Sequence, residues 1–86
     1  MRNLIERYIK NMSKEDIINF ANSKNINLNQ EELDFLYEFI KKNYESILSN
    51  PRLLDINRYQ NKFTKENFDK ITKVFNEYYT KYGKYL

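Results

Sequence analysis

The chain contains no cysteine and no histidine. Without thiols there is no disulfide to support the fold and no thiolate chemistry. Without thiols or imidazoles the usual zinc sites are excluded, and so is any His-based general base or triad. The single glycine, Gly83, cannot build a phosphate-binding loop or a dinucleotide-binding turn. Gly83 and the single proline, Pro51, also supply too few turn residues for a barrel or a sandwich, which points to an all-α chain. No Asp-rich run carries the central glycine of a calcium-binding EF-hand loop. No apolar run approaches the ~18 residues of a membrane span. Residues 1–12 are interrupted by Arg2, Glu6, Arg7 and Lys10, unlike a signal peptide. The expectation is a small cytoplasmic protein, not an enzyme, with no catalytic, metal-binding or cofactor-binding residues.

What the chain does contain is one helix-start pattern used three times. In "MSKEDI" (12–17), "LNQEEL" (28–33) and "FTKENF" (63–68), an apolar residue precedes a capping residue, three polar residues and a second apolar residue. Ser13, Asn29 and Thr64 can accept from the free N–H groups of a first helical turn. Ser13 with Asp16, and Asn29 with Glu32, have capping-box spacing. Met12–Ile17, Leu28–Leu33 and Phe63–Phe68 have the spacing of a hydrophobic staple. Glu15, Asp16, Glu31, Glu32 and Glu66 all fall in first turns, where the helix dipole favours negative charge. The pair Glu31–Glu32 is therefore read as helix-start chemistry and not as an acid/base pair.

The elements follow from these starts. A first helix spans about Arg2 to Asn11, with Leu4, Ile5, Tyr8, Ile9 and Met12 on one face. A second spans Lys14 to Ser23, with Ile17, Phe20 and Ala21 inward. "KNINLN" reads as a short extended connection that tucks in Ile26 and Leu28. A third helix runs from Gln30 to about Ser49. Its stripe of Leu33, Leu36, Tyr37, Ile40, Tyr44, Ile47 and Leu48 is widened by Phe35 and Phe39, so it should be central. Asp34, Glu38, Lys41, Lys42 and Glu45 mark its wet face. Around Pro51 two readings stand: a short helix capped by Asn50, carrying Leu53, Leu54 and Ile56 and ending near Asn57, or an ordered loop. A last helix covers Lys65 to about Tyr82, with Gly83 as its C′ residue. The fold expected is a single domain over residues 1–86, a bundle of four or five helices with the long third and last helices packed together.

Charge is uneven. Residues 1–43 hold seven Lys/Arg and seven Asp/Glu, whereas residues 44–86 hold eight and five, so the whole excess of +3 lies in the second half. Arg52, Arg58, Lys62 and Lys65, with Tyr59 and Phe63 among them, form a candidate basic contact surface for nucleic acid or an acidic partner. The closing stretch "NEYYTKYGKYL" also mixes rings with charge. On a helical wheel, however, Phe68, Ile71, Val74, Phe75, Tyr78, Tyr79, Tyr82 and Tyr85 fall within less than half the circumference, with Lys70, Lys73, Glu77, Lys81 and Lys84 opposite. A base-stacking groove needs both on one surface. Tyr78, Tyr79, Tyr82 and Tyr85 are therefore candidate interface aromatics for a protein partner or a second copy. Membrane binding is not expected, because the polar face of the last helix also carries Glu66, Asp69 and Glu77. The reading is an interaction or regulatory protein. A nucleic-acid binder using residues 52–65 is the alternative.

Residues 10–48 carry a resemblance. The capped "EDI..FA" helix followed by "NINLNQEE" and a long helix resembles the DUF2624 (YqfT-like) family of small uncharacterised helical proteins of low-GC Gram-positive bacteria. Ser13, Glu15, Ile17, Phe20, Ala21, Ile26, Leu28, Asn29 and Glu32 carry it. The resemblance implies a cytoplasmic bacterial protein and brings no catalytic residues with it. The same stretch has the outline of a SAP-type DNA-binding module, but it lacks that module's loop glycine and the basic residues that follow.

Overall fold

The computed structural model describes residues 2–49 and 55–82; the side chains of Arg2, Asn3, Ile5, Leu48, Tyr78, Tyr79, Lys81 and Tyr82 are outside that description. The described residues form α1 (Arg2–Asn11), α2 (Lys14–Ser23), α3 (Gln30–Ser49), a 3₁₀ helix (Ile56–Lys62) and α4 (Lys65–Tyr82), with no strand among them. The chain is an all-α bundle. No described helix is long and apolar enough to cross a membrane.

All three helix starts are built as their spacing predicts. Ser13 Oγ accepts from Asp16 N–H and Asp16 Oδ2 accepts from Ser13 N–H, closing a capping box. Asn29 and Glu32 close a second, at 2.8 and 2.9 Å. Thr64 Oγ1 accepts from Asn67 N–H at 3.2 Å. The staples are present too. Met12, Ile17 and Leu33 form the buried core cluster with Leu28 against it, and the Phe63 and Phe68 rings lie 6.4 Å apart.

The second helix ends in a Schellman motif. Ile26 N–H reaches Ala21 O, Asn25 N–H reaches Asn22 O, and Asn25 takes the left-handed φ of 62° that the turn needs. Asn tolerates that region better than other non-glycine residues. Ile26 and Ala21, the apolar pair of the motif, are both buried.

The third start differs from the other two. Its N3 residue is Asn67, whose side chain does not turn back to its own cap. Thr64 N–H instead donates to Glu32 Oε2, 32 positions earlier in the chain, at 2.9 Å. Asn67 Nδ2 donates to Glu32 Oε1 at 2.7 Å and to Asn27 O at 2.9 Å. Lys70 Nζ adds a bond to Asn25 O at 2.7 Å. Glu32 is 1% exposed, so one buried carboxylate caps α3 and α4 together.

The third and last helices, expected to pack together along their stripes, are joined at their N-terminal ends by this polar node. Along its length α3 runs closest to α1 and α2, and the 3₁₀ helix connects α3 to α4.

Several expectations are corrected. Phe20 was expected inward but is 55% exposed, because it sits at the flank of the Ile17–Ala21 stripe. Leu4 and Tyr8, expected on the inner face of α1, are also exposed, and of the described side chains of that face only Met12 is fully buried. Lys41, expected on the wet face, reaches back to donate to Ile9 O and Lys10 O, satisfying the C-terminal carbonyls of α1. The described helix after Pro51 is a 3₁₀ helix capped by Asp55. It starts near where the expected helix was to end and continues to Lys62. Residues 50–54 lie outside the described residues, as does Gly83.

Two substitutions test this frame by chemical denaturation. Glu32→Gln removes one acceptor from a buried site with three donors, and is expected to lower stability by about 1–3 kcal/mol. Asn25→Ala is expected to cost about 1 kcal/mol or more, whereas Asn25→Gly costs nothing or stabilises. Equal effects of Ala and Gly would show that the left-handed turn is not under strain.

Candidate functional site

The basic segment places its charges outward and its rings inward. Arg58, Lys62 and Lys65 are exposed. Arg52 and Tyr85 lie outside the described residues, and Tyr78, Tyr79 and Tyr82 are positions of α4 whose side chains lie outside them. Tyr59 and Phe63 join an aromatic cluster on α3. The Phe35 ring lies 5.7 Å from Phe39, 5.6 Å from Tyr59 and 5.6 Å from Phe63, the last edge-on at 81°. Phe39 and Tyr59 meet at 4.8 Å. These rings are half-buried against one another, not arrayed in the open beside the cations as base stacking would need. The structure does not bring the predicted cations and rings onto one surface, apart from Lys62, whose Nζ stands 5.7 Å from the Phe35 centroid.

Beneath that cluster is a cavity of about 440 Å³. Every element contributes to its wall: Ile9 from α1, Phe20 from α2, Leu36 and Ile40 from α3, Tyr59 from the 3₁₀ helix and Val74 from α4. The stripes of α3 and α4 face each other across it. Asp16 is the one charged lining residue among those described, and its Oδ2 already accepts from Ser13 N–H. Two lining residues, Tyr8 at 60% and Phe20 at 55%, are more than half exposed and so mark the mouth. Leu4, one turn before Tyr8, extends the apolar surface beyond it.

Protein interiors hold few voids larger than a water molecule. Sealed and empty, a cavity of this size would cost on the order of 10 kcal/mol, comparable with the whole stability of a small domain. Its volume lies instead in the range of ligand pockets. Periodicity gives no sign of it, because each stripe reads as core when taken alone. The available signal was aromatic excess: of six Phe and eight Tyr, only Phe68 is fully buried among the described residues.

The α2–α3 surface carries a bonded charge pair. Lys14 Nζ contacts Asp34 Oδ1 at 2.8 Å, and Gln30 Nε2 donates to the same oxygen. The Tyr37 ring lies between two ammonium groups, Lys14 at 5.5 Å and Lys41 at 5.4 Å. The hydrogen bond from Lys14, then that from Gln30, holds the Asp34 carboxyl below its ordinary 3.8. The bond to Asp34 holds the Lys14 ammonium above its ordinary 10.5. Among the described residues no three acidic, histidine or cysteine side chains gather as metal ligands.

The Asp34 carboxyl is lower in the folded state than in the unfolded. Its contribution is therefore complete above the unfolded value and disappears as pH falls through the folded one. Melting curves should show the stability gap between the native protein and Asp34→Asn closing below about pH 4. A gap constant from neutral pH down to about pH 2 would show that the pair contributes nothing.

No family model, curated protein or solved structure matches this chain.

Proposed function

We propose that this chain is a small non-enzymatic protein that acts by interaction or regulation, and that the apolar cavity is its working surface. The observation that carries this reading is the cavity itself, walled by all five described helices, with exposed Tyr8 and Phe20 in its lining. Exposed Leu4, Tyr8 and Phe20 beside the mouth support burial against a partner or a second copy. The lack of histidine and cysteine, and the engagement of Asp16 and Glu32 in caps, support a role without catalysis. A cytoplasmic setting and kinship with the DUF2624 family over residues 10–48 belong to the same proposal.

Nucleic-acid binding by Arg58, Lys62 and Lys65 is the second reading, favoured by their exposure. It is weakened by the inward rings of Tyr59 and Phe63.

Nile red, a neutral apolar dye, should bind the native protein saturably at one equivalent per chain and lose its enhanced emission on unfolding. Failure to bind removes the cavity as the working surface. In parallel, titration with mixed DNA and RNA at about 50 mM salt is expected to show no binding; tight, salt-steep binding would replace the first reading with the second.

A further inference from the structure

The chemistry of the cavity narrows what can occupy it. Its wall presents mainly aliphatic and aromatic carbon, drawn from five elements and not from one helix pair. Among the described residues its one charged lining side chain is Asp16, whose Oδ2 accepts from Ser13 N–H. At two lining rings, however, a cation stands outside. Lys24 Nζ is 5.9 Å from the centroid of Phe20, the ring that marks the mouth, and Lys62 Nζ is 5.7 Å from that of Phe35. Both lysines are exposed. An apolar interior with ammonium groups over its boundary rings is complementary to a molecule with a featureless apolar body and one anionic end.

We propose that the cavity binds a free fatty acid, its single alkyl chain among Ile9, Leu36, Ile40 and Val74 and its carboxylate at the mouth beside Lys24. This deepens the proposed function and rests on the cavity being the working surface. The volume of about 440 Å³ suits one long alkyl chain and is too small for the two chains of a membrane lipid. Burial of the chain contributes most of the affinity, since each methylene removed from water adds to it. The ammonium group contributes orientation and a preference for anions. An exposed charge pair is worth little, so losing it should weaken binding only about three- to fivefold.

Displacement of Nile red by laurate and by dodecyltrimethylammonium, both below their micellar concentrations, tests the assignment in native protein and in Lys24→Glu, a surface change that leaves the cavity wall intact. Laurate should displace the dye at one equivalent and bind about three- to fivefold more weakly, or worse, to Lys24→Glu. The cationic amphiphile should bind the variant at least as well as the native protein. Three results would overturn the proposal: dye that laurate cannot displace, laurate affinity indifferent to Lys24→Glu, or displacement by an amphipathic helical peptide but not by laurate. In each of these Nile red still binds, so the cavity stands and only its occupant is wrong. If Nile red itself does not bind, the proposed function fails first.

Discussion

The fold depends on one buried carboxylate. Glu32 accepts from Asn29 N–H, Thr64 N–H and Asn67 Nδ2, and all three donors are neutral. A carboxylate removed from water needs compensation of this kind, or its burial would cost several kcal/mol. Two helix N-termini supply it. Each carries roughly half a positive charge, so α3 and α4 together present about one unit to one anion. Bonds to a charged acceptor are also the stronger kind. The same carboxylate closes the capping box of α3 and takes the place of the missing box partner of α4. Asn67, freed from that role, secures the α2–α3 connection through Asn27 O.

Much of this arrangement could be read in the residues. Ser13, Asn29 and Thr64 were legible because capping acts over three or four positions, where spacing determines geometry. The bounds of all four α-helices follow from those starts and from the stripes between them. The reach of Glu32 to Thr64 was not legible, since nothing local distinguishes a carboxylate that caps one helix from one that caps two. Lys41 departs from its pattern for the same reason: a long flexible stem that periodicity places on the wet face curls back to the α1 carbonyls. The 3₁₀ helix left a trace in Ile56 and Tyr59, half-buried at a spacing of three, the repeat of that helix and not of an α-helix.

The candidate site was less legible than the fold. Its existence is a property of how five amphipathic faces meet, and each face alone reads as core. The predicted basic surface shows the converse. Its residues exist as read and three of them are exposed, but the rings between them turn inward because α3 offers Phe35 and Phe39 as partners. Exposed cations and inward rings are two separate structural roles that one-dimensional proximity merges into a single motif.

The polar node also bears on the order in which the chain assembles. Capping boxes and the Schellman turn close over a handful of positions, and α1 to α3 follow one another with short connections. The bonds that fasten α4 span 32 to 45 positions (Glu32 to Thr64, Asn27 to Asn67 and Asn25 to Lys70), and those from Lys41 that fasten α3 to α1 span 31 and 32. Closing such loops costs chain entropy before any contact returns it. Until α4 docks, Glu32 lacks the donors Thr64 N–H and Asn67 Nδ2, and its carboxylate stays hydrated. The docking of α4 thus dehydrates that carboxylate and completes the cavity wall in one event.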